Sequence, residues 1–254
     1  MNKRISKIPN NIQDRNSIAW KKLCKYIDQT AENGTDEFVP REYLGDELFS
    51  QIYTLPESIS KLKKVKKIAL YGSNLKRIPP EIGEMESLEY FDTYTSYDLN
   101  WFPFEIYKCK KLKDSRISTR ALYGNYKNRM GFPRLHHNPV RYFGDSLKCS
   151  VCEKEITYET TNQMWITARI GTDTIPMLAN LCSTECEQEL PKPPEFYVQN
   201  PHKGGADLKQ PEMDELDYHK LNGKTVKIEF IPKSKKINFK ALKTLKLIRK
   251  IWKK

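Results

Sequence analysis

The 254-residue chain has no long hydrophobic run, and this shortage excludes one class of protein. A membrane-spanning helix needs about 18 consecutive apolar residues or more, and no stretch approaches that length. Residues 1–9 are basic, with Lys3, Arg4 and Lys7, but lack the apolar core of a secretion signal. We therefore expect a cytoplasmic protein without a transmembrane segment.

Motifs of common enzymes are also missing. The chain has four histidines, and none is followed two residues later by the glutamate of a zinc deaminase. Gly204 and Gly205 lack the spacing and the trailing Lys-Ser/Thr of a phosphate-binding loop. Because no acid–base pair or activated nucleophile can be recognised, we expect a protein without catalytic activity.

Positive charge is concentrated at the C-terminus. Of a formal net charge of +12, residues 233–254 contribute ten lysines and arginines and no acidic residue. The apolar spacing at residues 238–252 predicts a basic amphipathic helix, and residues 224–231 alternate as a strand does. Three roles stay open for Lys233 to Lys254: packing on the folded body, binding acidic lipid, and contacting phosphate or an acidic protein.

Four of the six cysteines form two close pairs. Cys149 and Cys152 are separated by two residues, and Cys182 and Cys186 by three. A C-x-x-C turn holds two thiolates on one side of a tight knuckle, and a second pair completes the tetrahedral shell that zinc prefers. The pattern predicts structural Zn²⁺ with no open coordination position. Disulfides, redox chemistry and another metal are the alternatives.

The sequence around these cysteines suggests a small zinc module. Strands are predicted at residues 164–170 and 174–178, and Ser183 is placed to cap a helix that carries the second cysteine pair. This order of knuckle, hairpin and helix resembles a treble-clef zinc finger. Because four cysteines already complete the shell, we interpret His136 and His137 as linker residues.

One stretch of the chain, residues 55–122, repeats itself. The motif LPESI at residue 55 returns as IPPEI at 78 and as FPFEI at 102, at steps of 23 and 24 residues. Leucine-rich repeats have periods of about 20 to 29 residues. Residues 65–70, VKKIAL, also match the strand pattern L-x-x-L-x-L, which weakens at residues 88–93 and 112–117.

Together these segments resemble the leucine-rich repeat family. The resemblance implies a short solenoid of parallel strands, although Ser73, Ser96 and Arg120 stand where family members have a turn asparagine. It also implies a concave strand face, because alternate residues of a strand point in opposite directions. The predicted partner-binding residues on this face are Lys67, Tyr71, Tyr90, Asp92, Tyr94 and Arg116.

Two interpretations of the tyrosines stay open. Tyrosine and arginine often anchor protein interfaces, but exposed tyrosines also simply suit the surface of a sheet. We favour a protein–protein interaction module that binds its partner on the concave face. The alternative is binding of nucleic acid or an acidic surface through the zinc module and the basic tail.

The predicted fold class is α+β, in four regions. Residues 1–54 are predicted to form a helical N-terminal cap. It contains a helix at residues 14–30, for which Asn16 or Ser17 is the candidate N-cap and Gly34 the terminating residue. Residues 55–135 hold the leucine-rich repeats, 136–206 the four-cysteine zinc module, and 207–254 a strand and the basic helix. About three repeats are needed for a stable stack, so the flanking regions are expected to close its core.

Overall fold

A computed structural model of the chain describes residues 13–135 and 139–213, together with Ile8 and Asp217. These residues form a mixed α+β structure with few helices and with parallel strands, in agreement with the predicted class. The leucine-rich-repeat solenoid and the four domain ranges stay predictions. The predictions for His136, His137, the strand at 224–231 and the basic helix fall outside the described residues.

Helix α1 (Ile18–Asn33) has the predicted caps. The hydroxyl of Ser17 accepts a hydrogen bond from the Trp20 amide at 3.2 Å, and Gly34 ends the helix in the left-handed conformation with φ of 62°. Trp20, Leu23 and Ile27 are buried, whereas Ile18, the first residue of the helix, is 68% exposed.

The N-terminal region also contributes a strand that the sequence did not predict. Strand β1 (Glu37–Phe38) pairs in parallel with β2 (Lys67–Ala69), and α2 (Pro40–Phe49) follows it with a break at Gly45. Tyr26 of α1 stacks on the ring of Phe38 at 4.9 Å. Helix and strand therefore cover one end of the repeated segment together.

The repeated segment forms a parallel sheet. Strands β3 (Tyr90–Thr93), β4 (Phe102–Pro103) and β5 (Asp114–Ile117) follow β2, and the sheet has the order β1-β2-β3-β5. Lys67, Tyr90 and Asp114 are adjacent in register. The three motifs begin 3₁₀ segments that contact one another in turn, at Glu57–Lys61, Pro80–Glu84 and Phe104–Lys108.

Apolar side chains fill the space between the sheet and the 3₁₀ segments. Ile68 of β2 and Phe91 of β3 are fully buried, and so are Ile59, Ile82 and Ile106, the last residue of each motif. The ring of Phe91 meets that of Phe102 edge-on at 6.0 Å. The repeat in the sequence therefore corresponds to a repeated contribution to one core.

Serines occupy two of the three positions where the resemblance implies a turn asparagine, Ser73 and Ser96, and the third is Arg120. The buried hydroxyls of Ser73 and Ser96 are 2.7 Å apart, and the Ser118 hydroxyl accepts a hydrogen bond from the Thr95 amide at 2.7 Å. Neighbouring turns are thus linked from one unit to the next by hydroxyl groups.

We expect Ser96→Ala to lower the free energy of unfolding by about 1 to 3 kcal/mol, because it leaves the buried Ser73 hydroxyl without its partner. The double variant Ser73→Ala/Ser96→Ala should lower the free energy of unfolding by less than the sum of the two single changes, since it removes both partners. Urea unfolding of the four proteins measures this coupling. Strict additivity would contradict the hydrogen bond.

The cysteine-containing part is joined to the repeats through a second sheet. Strands β6 (Ser146–Lys148) and β7 (Glu155–Thr157) form a small hairpin. A longer hairpin, β8 (Asn162–Ile170) and β9 (Asp173–Leu181), confirms the two predicted strands and extends them. Because β4 pairs in parallel with β9, both parts share one sheet, which α3 (Thr184–Gln188) follows.

The chain after α3 returns along the outer edge of this sheet. His202 and Trp165 exchange backbone hydrogen bonds at 2.8 and 3.0 Å, so residue 202 pairs with β8 through one antiparallel bridge. The Trp165 indole N–H donates to the Pro133 carbonyl at 2.8 Å, inside a cluster with Trp101 and Phe132. In the described part of the chain, no helix has the length and apolar character needed to cross a membrane.

Candidate metal centre and strand face

The first cysteine pair lies in a tight turn between β6 and β7. The amide of Cys149 donates to the Lys154 carbonyl at 2.8 Å, and the amide of Glu153 donates to the Cys149 carbonyl at 3.0 Å. Glu153 has a positive φ of 64°, which lets the chain reverse within this short loop. The turn therefore brings the sulfur of Cys152 to the same side as that of Cys149.

The second pair lies where β9 passes into α3. The Ser183 hydroxyl accepts a hydrogen bond from the Cys186 amide at 3.3 Å, which confirms the predicted cap. This cap starts the helix directly after Cys182, so the helical turn places the sulfurs of Cys182 and Cys186 3.6 Å apart.

The four sulfur atoms have the spacing of a metal site. All lie within 4.8 Å of one another, and those of Cys152 and Cys182 are 3.5 Å apart. Metal–sulfur bonds of ~2.3 Å in a tetrahedral shell place sulfur atoms ~3.8 Å apart. None of the six cysteines is in a disulfide. The four residues can thus hold a metal ion, and they form the one such group found among the described residues.

The surroundings of the sulfurs favour a bound cation. Burial raises the pKa of the Cys149 thiol, but hydrogen bonds from the backbone amides of Cys152, Val151 and Cys182 outweigh this effect and lower the pKa to about 7. Hydrogen bonding between the sulfur of Cys182 and the sulfurs of Cys152 and Cys186 raises the pKa of the Cys182 thiol to about 12. A cation that replaces these protons relieves the repulsion between four thiolates.

The buried side chain of Glu105 is hydrogen-bonded to the turn that holds the first cysteine pair. Ser150, between the two cysteines of the turn, donates its hydroxyl to Glu105 Oε1 at 2.6 Å and accepts from the Asn180 amide at 2.8 Å. Burial raises the pKa of the Glu105 carboxyl to about 7. Sequence reasoning missed this contact. Glu105 stood out only as a motif residue, and its partner is 45 residues away.

The sheet formed by β2, β3 and β5, together with the turns after β2 and β3 that hold Tyr71 and Tyr94, brings together the predicted partner-binding residues; we call this surface the strand face. Tyr71 and Tyr94 are 43% and 40% exposed, and their ring centroids are 6.1 Å apart. The Arg116 guanidinium lies over both rings, 4.5 Å from the centroid of Tyr94 and 5.6 Å from that of Tyr71. The three side chains form one continuous surface, which we call the Tyr-Arg patch.

The other three predicted residues lie beside this patch in supporting positions. Asp92 is buried, accepts the Tyr94 amide at 2.9 Å, and lies 3.7 Å from the Arg116 guanidinium. The half-buried Tyr90 donates its hydroxyl to Asp92 at 3.4 Å, and burial raises its pKa. Lys67 pairs with Glu37 of β1 at 3.0 Å.

Arg41 is a residue near the patch that sequence reasoning missed. Its guanidinium lies next to Gly72, one residue after Tyr71, and its Nε hydrogen-bonds to Asp46 at 2.6 Å. No spacing in the sequence indicates this position, because Arg41 belongs to α2 and reaches the patch only through the packing of that helix.

No protein-family model matches the chain, and a search of the curated proteins gives no significant match.

Proposed function

We propose that the protein is a non-catalytic binding protein in which short leucine-rich repeats present the Tyr-Arg patch to a protein partner. The observation that carries this proposal is the contact of two exposed tyrosines, in the turns after β2 and β3, with an arginine of the parallel strand β5. Tyrosine anchors protein interfaces because it buries a large area with little loss of conformational freedom, and arginine is also enriched among such anchors.

In the proposed function the four-cysteine centre holds zinc and stabilises the fold. Four thiolates complete a tetrahedral shell, so they leave no position for a substrate. The six unbridged cysteines support a reducing compartment, in keeping with the proposed cytoplasmic location. Binding of nucleic acid or an acidic surface through the tail depends on Lys233 to Lys254, outside the described residues, and stays a prediction.

The proposal is tested by affinity purification from the native cell. Partner capture should be lost with Tyr71→Ala/Tyr94→Ala, because the double change removes the exposed rings and the surface on which Arg116 rests. Quantitative mass spectrometry of the captured proteins measures the loss, and circular dichroism checks that the variant is folded.

A matched control is available in the third 3₁₀ segment. There the ring of Tyr107 contacts the Lys110 ammonium at 4.4 Å, so Tyr107→Ala also removes an aromatic–cation contact but leaves the strand face intact. This control should retain the partner. Equal capture by the double variant and the native protein would remove the strand face from the proposal.

A further inference from the structure

We infer that the partner presents a carboxylate to Arg116, from an acidic residue next to an apolar side chain that covers Tyr71 and Tyr94. This inference rests on the proposed function and specifies the chemistry of the partner. It starts from the hydrogen-bonding capacity that the strand face leaves unused.

The Arg116 side chain is held in place by stacking and by charge, without hydrogen bonds from its N–H groups. Its guanidinium is stacked on Tyr94 and lies 3.7 Å from Asp92, a distance that orients the charge but is too long for a hydrogen bond. In the described part of the chain, no acceptor hydrogen-bonds to it, and the side chain is 54% exposed. A planar guanidinium fixed in this way is preorganised for a bidentate contact with a planar anion.

The other charged groups around the patch already have partners. Lys67 pairs with Glu37, Arg41 hydrogen-bonds to Asp46, and Asp114 accepts the Thr172 hydroxyl at 3.2 Å. Asp92 accepts the Tyr94 amide. The polar group that the partner must supply is therefore an acceptor for Arg116.

The carboxylate of Asp92, next to Arg116, determines which kind of anion the Tyr-Arg patch prefers. This buried carboxylate offsets much of the positive charge of Arg116, so the patch attracts one further negative charge only moderately. The cost of removing an anion from water rises with the square of its charge, whereas its attraction to the patch rises only in proportion to the charge. This moderate attraction therefore favours a singly charged carboxylate over a dianionic phosphate. A nucleic acid backbone also needs several unpaired cations in a row, whereas Lys67 and Arg41, the cations beside Arg116, are already paired with carboxylates.

The experiment selects random linear peptides displayed on phage against the full-length, metal-loaded protein. Selected peptides should contain aspartate or glutamate beside a large apolar residue. Synthetic copies should bind Arg116→Lys about tenfold more weakly than the native protein, because lysine keeps the charge but loses the two-pronged contact. Replacing the acidic residue by its amide should weaken binding to the native protein by a similar factor.

Three results would overturn the inference. The first is that no peptide is selected, and the second is that the selected peptides bind Arg116→Lys as tightly as the native protein. The third is that phosphoserine at the acidic position binds more tightly than glutamate. The outcome for the proposed function is separate, since partner capture that needs Tyr71 and Tyr94 but tolerates Arg116→Lys would sustain the strand face and reject the carboxylate.

Discussion

Purified full-length protein should contain about one zinc ion per chain, and Cys182→Ser should lose it. Cys182 is the centre of the cysteine group, because its sulfur lies 3.5 Å from that of Cys152 and 3.6 Å from that of Cys186. A serine hydroxyl does not ionise at neutral pH, so the variant offers three thiolates and an incomplete shell. Elemental analysis after gel filtration measures the metal content.

Loss of the metal should also destabilise the repeats. Structural zinc contributes about 10 to 16 kcal/mol of apparent free energy in small zinc-binding peptides, a larger effect than any single side-chain contact. The part of the chain that holds the four cysteines is joined to the repeated segment through the β4–β9 pairing and through the Ser150–Glu105 hydrogen bond. Thermal unfolding followed by tryptophan fluorescence should therefore report a lower midpoint, since Trp101 and Trp165 lie in the adjoining cluster.

Cys24→Ser is the matched control. Cys24 is half-buried in α1 and lies outside the four-cysteine group, so this variant should keep its zinc and nearly all of its thermal stability. Retention of zinc by Cys182→Ser, or iron in place of zinc in the native protein, would contradict the proposed centre. A stable, metal-free Cys182→Ser protein would show that the sulfur cluster is dispensable for the fold.

The sequence was most informative where local rules decide the structure. Ser17 and Gly34 bound α1 because a hydroxyl and a left-handed glycine satisfy the ends of a helix whatever lies around it. The β8–β9 hairpin and the Ser183 cap follow from equally local signals. The cysteine set was also predictable, because thiol spacing within each pair largely fixes the geometry of the knuckle and the helix start.

Features that depend on distant parts of the chain were not predictable. Strand β1 has two residues and is a strand only because Lys67 and Ile68 lie beside it. The β4–β9 pairing joins Phe102 to Met177, and nothing near either residue indicates the other. The same holds for Asp92, a predicted binding residue that is buried in the structure, where Arg116 of the neighbouring strand lies 3.7 Å from its carboxylate.

Between about pH 6 and about 8.5, the native protein should lose stability relative to Glu105→Gln as the pH rises. Burial raises the pKa of Glu105 to about 7, above its ordinary value of 4.5. Over this range the unfolded chain holds the carboxyl ionised, whereas the folded chain binds a proton that it releases as the pH passes 7. Its stabilising contribution is about 3 kcal/mol in total, complete below about pH 4.5 and lost above the folded pKa, so about 1.4 kcal/mol of it should disappear between pH 6 and pH 8.5.

Glutamine is neutral at every pH, so the difference between the two free energies of unfolding isolates this proton. Protonation of the cysteines affects both proteins equally and cancels in the difference. Urea unfolding of metal-loaded protein across the pH range gives the curve. A difference between the two free energies that is the same at every pH would reflect only how well the glutamine amide fits beside Ser150. A difference that changes with pH reports the proton on the buried carboxyl.

Glu153→Gln serves as the control for this measurement. The Lys108 ammonium, 3.0 Å from the exposed Glu153, holds the pKa of that carboxyl below its ordinary value, so it stays ionised in both states throughout the range. Its difference curve should be flat. A flat curve for Glu105→Gln as well would mean that water or a cation reaches the carboxyl. The Ser150–Glu105 contact would then link the repeats to the metal centre by hydrogen bonding alone, without a bound proton.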